Sequence, residues 1–276
     1  MGSVVGPWNL SIRSYRSTLA QIPGNSQLPV ERNLVTLTMN ENVFVLLEDA
    51  LAPSRADIVA NAPEGHAQAA IQAQPHYRTS FLTVRPPGAL EQLLQQLRGH
   101  WAPVRHSAPG AAPKIQANAP PQLTIDGQVF AIGNDWIVRA GNVMLPGGAV
   151  KGMILEAEYL PMIVQHNPMP DNTSEIISNL IMSVLPSIKS EEAKPVAVSI
   201  GEDLWADVLW DREEEAMATA AQQQEEQKKS KDGEEDIYAF GNDPLPSTSK
   251  GDWIGVKRDR RSAYLILGTL RGEGLF

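Results

Sequence analysis

From Trp8 to Arg16 apolar and polar residues alternate, with Trp8, Leu10 and Ile12 set against Asn9, Ser11 and Arg13. A period of two suits a strand with one buried face. Leu34–Met39, Val43–Leu47 and Tyr77–Val84 are rich in β-branched and aromatic residues and bounded by Asn, Pro or charge, so they read as further strands. The short separations between them predict antiparallel pairing. After Pro86-Pro87-Gly88 the period changes: Leu90, Leu93, Leu94, Leu97 and Trp101 recur at helical spacing, with Glu91, Gln92, Gln95, Gln96 and Arg98 facing away. That stripe predicts a helix covering one face of a sheet, and core packing explains its leucines without a cofactor.

The middle of the chain is the richest in strand signals. Leu123-Thr124-Ile125 and Gln128-Val129-Phe130 flank Asp126-Gly127, a dipeptide suited to a type I′ hairpin turn. Asp135 to Leu145 and Val150 to Leu160 are two long strand candidates joined by Pro146-Gly147-Gly148, which predicts a second hairpin. Thr173 or Ser174 can cap a helix carrying Ile176, Ile177, Leu180, Ile181, Val184 and Leu185, with Pro186 near its end. Val196–Ile200 reads as a last short strand, and Glu202–Glu215 is helical in composition. The run Ala263–Leu267 is readable as strand or short helix, and a helix from about Asp259 to Arg271, stopped by Gly272 and Gly274, is preferred.

Composition sets the limits of this picture. With 276 residues, 42% of them hydrophobic, the chain can bury a sizeable core, while 21 Gly and 21 Pro demand many turns. Residues 52–76 and 102–122 lack a sustained apolar stripe and read as loop insertions, the second broken by five prolines. Asp211 to Asp236 holds ten acidic and four basic residues, so the tract carries −6 of the overall net charge of −9. The remaining body is close to neutral, which argues against sequence-independent binding to nucleic acid, a task that rests on many Lys and Arg. The expected organisation is a β domain over 1–210, an acidic low-complexity linker over 211–250, and a helix in 251–276 that packs back on the sheet.

The absence of cysteine excludes disulfides, thiolate metal sites and Cys nucleophiles. The longest apolar runs, Val43–Leu47 and Ala263–Leu267, fall far short of the roughly 20 residues that span a bilayer. The start of the chain lacks the pattern of a secretory leader, and it departs at Gly6 from a myristoylation signal. None of the five histidines is paired at the i, i+4 spacing of a helical metal site, and no Gly-x-Ser-x-Gly elbow occurs. The Gly-rich stretch Leu145–Gly152 ends in a lysine that leads into a strand, which suits a hairpin turn and not a phosphate cradle. No cofactor is expected.

Glu156-Ala157-Glu158 is the one spacing with a chemical reading of its own. Residues two apart on a strand point the same way, and two carboxylates inside a closed sheet could hold a divalent ion over a triphosphate. The neighbouring strands 34–39, 43–47 and 123–130 carry no Lys or Arg to bind phosphates. A metal-dependent triphosphate hydrolase of the tunnel type, using Glu156 and Glu158, is thus the alternative. The bland reading pairs these glutamates with Arg139 across the hairpin, and the two glycines Gly141 and Gly152 mark a bulge or a close approach of backbones.

Taken together, Asp135-Trp136-Ile137-Val138-Arg139-Ala140-Gly141-Asn142-Val143 and Lys151-Gly152-Met153-Ile154-Leu155-Glu156-Ala157-Glu158-Tyr159-Leu160-Pro161 resemble the central signature of the Mediator subunit 20 family, of the fungal type. The resemblance extends through Thr173–Ile188 and the spacing of Gly255, Asp259 and Tyr264 in the terminal segment. It implies an α+β fold, a mostly antiparallel β-barrel similar to Mediator subunit 18 with flanking helices. It further implies a nuclear, non-catalytic subunit of the Mediator head module that contributes to RNA polymerase II initiation. The implied partners are subunit 18, barrel to barrel, a helix of subunit 8 and other head-module subunits, with no membrane and no direct nucleic acid. Trp136, Arg139, Gly141, Gly152, Glu156, Glu158, Tyr159 and Pro161 are its structural signature residues. Lys257-Arg258-Asp259-Arg260-Arg261 could serve as an import signal or simply start a helix.

Overall fold

A computed structural model describes residues 2–17, 32–63, 65–97, 101–104, 122–161, 179–180, 183, 210 and 255–276. Within them the alternating segments form strands β1 (Gly2–Ser17), β2 (Arg32–Met39), β3 (Asn42–Asp49), β4 (Thr79–Val84), β5 (Trp101–Pro103), β6 (Leu123–Ile132), β7 (Trp136–Met144) and β8 (Val150–Tyr159). Helices α1 (Arg55–Asn61), α2 (Ala67–Ala73), α3 (Pro87–Gln96) and α4 (Gly255–Gly272) complete the described elements. The strands make one antiparallel sheet in the order β4-β3-β2-β1-β6-β7-β8, with β5 added beside the end of β1.

The long β1 organises both halves, pairing over Leu10–Arg16 with β2 and over Gly2–Ile12 with β6. Its alternation is read out as expected: Trp8, Leu10 and Ile12 are buried on one face. That face meets Leu37, Phe44, Phe81, Leu123, Ile125 and Val143 from the other strands, and Ala263, Ile266, Leu267 and Leu270 from α4. The opposite face of the β1–β4 half carries Leu34, Val43 and Val45, covered by Leu90 and Leu94 of α3 and by Trp101. Each half of the sheet thus buries a face because each has an apolar residue at every second position.

The expected barrel is not found. Among the described residues β4 and β8 are unpaired with each other, and the sheet stays open. The physical reason is α4. An α-helix with side chains is about 10 Å across, and its stripe of Ala263, Ile266, Leu267 and Leu270 occupies the inner face that facing strands would fill in a closed barrel.

Three further expectations change and one holds. Asp126-Gly127 is no turn, because β6 runs unbroken from Leu123 to Ile132. The turn falls at residues 133–135, where Gly133 takes φ 62°. Glycine at 127 serves close approach: a Cβ there would lie 2.0 Å from the Ala140 carbonyl oxygen. Residues 52–76 are not all loop, since a capping box between Ser54 and Asp57 starts α1 and a buried Ile71 anchors α2. The helical stripe after Pro87 stops at Gln96, so Trp101 packs from β5, and Leu93 points to solvent. The terminal apolar run is helix, from Gly255.

Residues 179, 180 and 183 are helical, but the rest of the expected helix near 173–188 lies outside the described residues. So do the expected strand 196–200, the acidic tract 211–236 and most of the insertion 102–122.

Candidate functional site

The hairpin of β7 and β8 closes over Pro146-Gly147-Gly148, with Gly147 at φ 105° and Gly148 at φ 88°, which a side chain would resist. Its register places Arg139 opposite Glu156 and Ile137 opposite Glu158. Residues two apart share a face, so both glutamates and Arg139 point to the side on which α4 lies. There Arg139 Nη1 donates to Glu156 Oε1 at 2.9 Å and to Glu158 Oε2 at 3.0 Å, and Nη2 donates to Glu158 Oε2 at 3.0 Å.

From the other side α4 delivers a second arginine. Arg258 donates through Nε to Glu158 Oε2 at 3.0 Å and through Nη2 to Glu156 Oε1 at 3.2 Å, while Nη1 holds Asp259 Oδ1 at 2.7 Å. One helical turn on, Ser262 Oγ donates to Glu156 Oε2 at 2.6 Å. The side chains of Arg139, Arg258, Glu156, Glu158 and Asp259 keep only 11–19% of their surface in water. Three carboxylates and two guanidiniums therefore form a largely desolvated network in which each charge has an opposite neighbour. Charges placed this way gain far more from each other than exposed ones do, and lose more when a partner is removed.

The network does mechanical work. It fixes the start of α4 to the last strand, while Arg271 near the other end of the helix grips Glu48 of β3 through two bonds of 2.6 and 2.8 Å. Arg260, 8% exposed, donates to the carbonyl oxygens of Phe81 and Trp210 and lies 5.6 Å over the Phe81 ring. Polar clamps thus fix where the apolar stripe of α4 sits on the sheet.

The remaining signature residues divide by face. Trp136 and Tyr159 oppose each other on the outer face with ring centroids 4.7 Å apart. Gly141 stands in a cross-strand row Trp8, Gly127, Gly141, Ile154. A Cβ on Gly141 would come within 2.6 Å of Ile125 Cγ2 and 3.1 Å of Trp8 Cε3, so the indole lies where a side chain would stand. Gly152 sits beside the register shift at Val143/Met144, a bulge with open space around it. Pro161 is exposed in the turn after β8.

The sequence pointed to Arg139 and the glutamates but not to Arg258 and Ser262. Their signal was the i, i+4 spacing, which puts both on one face of a helix, hidden inside a basic cluster.

Two other features lie outside this network. Asp49 is 2% exposed, accepts the Leu51 amide at 3.1 Å and lies within ion-pair distance of Arg32 Nε at 2.7 Å and His76 Nε2 at 3.2 Å. Burial works to raise its pKa, but the amide, Arg32 and His76 prevail and hold the carboxyl below its ordinary value. An open groove of about 440 Å³ lies between β1, β5 and α3, floored by Tyr15, Leu94, Trp101 and Pro103, with the Arg13–Glu91 ion pair on its rim. Among the described residues no three of His, Asp and Glu gather so as to hold a metal ion. No described helix is long and apolar enough to cross a membrane. No protein-family model matches the chain, and no curated protein matches it.

Proposed function

We propose that this chain is a non-catalytic structural and regulatory subunit of a nuclear transcription assembly, related to Mediator subunit 20. In this reading it pairs with subunit 18 and contributes to RNA polymerase II initiation. The single observation that carries the proposal is the use made of the signature hairpin. Its charged residues are spent on seating α4, which is work a scaffold needs and a catalyst does not. Both glutamates of the Glu-x-Glu pair face guanidinium or hydroxyl donors, which leaves the triphosphate-hydrolase alternative without an assembled phosphate-binding partner set among the described residues.

The outer face of β6–β8 supports an assembly role. There Val4, Phe130, Val138 and Ala157 form one cross-strand row and Ile132, Trp136 and Tyr159 the next, with no charge in either; Val4 is exposed, Val138 is buried and the others are half-buried. Aromatic residues without charges are the composition found at the centres of protein interfaces.

The test is association. Mixed at micromolar concentration, this chain and subunit 18 are expected to elute as one species of summed mass in size exclusion with light scattering. Separate elution of two folded proteins would refute the proposal. Enrichment of head-module proteins, subunit 8 among them, on the tagged chain from nuclear extract would extend it.

A further inference from the structure

The start of α4 contains a local conflict. The positive end of a helix dipole disfavours cations, yet the first turns of α4 carry Lys257, Arg258, Arg260 and Arg261 in five residues, and no acid lies in its first turn. Docking resolves the conflict: Arg258 is held by Glu156 and Glu158, and Arg260 by the Phe81 and Trp210 carbonyls. Undocked, Arg258 would lose Glu156 and Glu158 and keep only its neighbour Asp259, and with four cations left at the unfavourable end of the helix dipole the turn would fray into extended chain. An extended run of four cations in five residues is what an acid-lined peptide groove reads.

We propose that residues 257–261 are a concealed recognition stretch, available to the acidic groove of a nuclear import receptor only when α4 leaves the sheet. Seating the helix buries Arg260, leaves Arg258 largely buried, and holds the run helical, so the folded chain is a poor ligand and the chain with a free α4 a good one. A receptor that binds only the released form pays for the docking equilibrium, and its apparent affinity falls by the fraction released. The choice of receptor rests on the nuclear reading above; the concealment rests on the α4 contacts alone.

The experiment measures binding of the full chain, freed of nucleic acid by nuclease, to a purified import receptor of the importin-α class without its autoinhibitory segment. Leu267→Asp places a charge in the apolar stripe and frees the helix without touching the basic residues. This variant is expected to bind roughly tenfold or more tightly than the unaltered chain, and to lose the gain when Lys257, Arg258, Arg260 and Arg261 are all changed to Ala. If Leu267→Asp unfolds the sheet, the Glu156→Gln/Glu158→Gln chain, which keeps the apolar stripe, carries the comparison, with hydrogen exchange reporting release of α4. Equal binding by released and unaltered chains, no binding by either, or binding that survives loss of the four cations would each overturn the proposal. Subunit 18 is absent from the assay, so its outcome and that of the pairing experiment are independent.

Discussion

Removing Arg258 is the sharpest perturbation of the clamp. Arg258→Ala deletes the donors at 3.0 and 2.9 Å to Glu158, at 3.2 Å to Glu156 and at 2.7 Å to Asp259, leaving Glu156 and Glu158 with Arg139 and Ser262 and taking from Asp259 its Arg258 partner. Breaking a fully buried pair costs about 3–5 kcal/mol, and an exposed pair contributes at most about 1 kcal/mol. At 14–19% exposure the site lies nearer the buried limit, so a loss of about 2–3 kcal/mol is expected. Urea unfolding of the full chain, followed by far-ultraviolet circular dichroism, measures it as a lowered midpoint at unchanged slope. A double-mutant cycle with Glu158→Gln should return a coupling of about 1–2 kcal/mol, because the two residues touch. Arg258→Lys keeps the charge but loses the fork and should recover only part of the loss. A loss below about 0.5 kcal/mol with additive single changes would show that the network contributes nothing and that α4 sits by its apolar stripe alone.

Other consequences follow from the same contacts. Leu267→Ala, at a side chain 1% exposed, should cost about 2–5 kcal/mol and raise hydrogen exchange in α4 before the sheet. Gly127→Ala drives a Cβ to 2.0 Å from backbone and should cost about 3 kcal/mol or prevent folding, whereas Gly152→Ala, with nothing within 4 Å, should stay within about 0.5 kcal/mol by thermal melting. Asp49 has a folded pKa below its ordinary 3.8, so its contribution is fully present above that value and is lost as pH falls through the folded value. The stability gap between the natural chain and Asp49→Asn should therefore persist from pH 7 to about 5 and close on acidification below about pH 4; a gap independent of pH would refute the assignment.

Strands with one buried face were legible because alternation is a local signal: β1, β2, β3, β7 and β8 lie where Trp8–Arg16, Leu34–Met39, Val43–Leu47 and the residues around Pro146-Gly147-Gly148 placed them. What failed was non-local. Asp126-Gly127 has the chemistry of a turn, but the tight approach of Ala140 from the next strand claims the glycine instead. Closure of the sheet could not be read either, since it depends on whether β4 meets β8 or a helix intervenes, and α4 lies more than ninety residues beyond β8. The same distance hid half of the charged site. Arg139 could be matched to Glu156 within a hairpin, while Arg258 reaches them across a hundred residues and looked like part of a surface cluster. Ser54-x-x-Asp57, by contrast, is a local capping signal masked by surrounding Ala, Gln and Pro that resemble a linker.

A structural role for Glu156 and Glu158 underlies every proposal above. The most direct measurement is phosphate release from nucleoside triphosphate or inorganic triphosphate, with magnesium or manganese, by the purified chain and by Glu158→Gln, alongside urea unfolding of both. If both glutamates are structural, neither protein turns over substrate above the blank and the variant shows a clear loss of stability. Turnover by the natural chain that vanishes in a Glu158→Gln protein of undiminished stability would contradict that role.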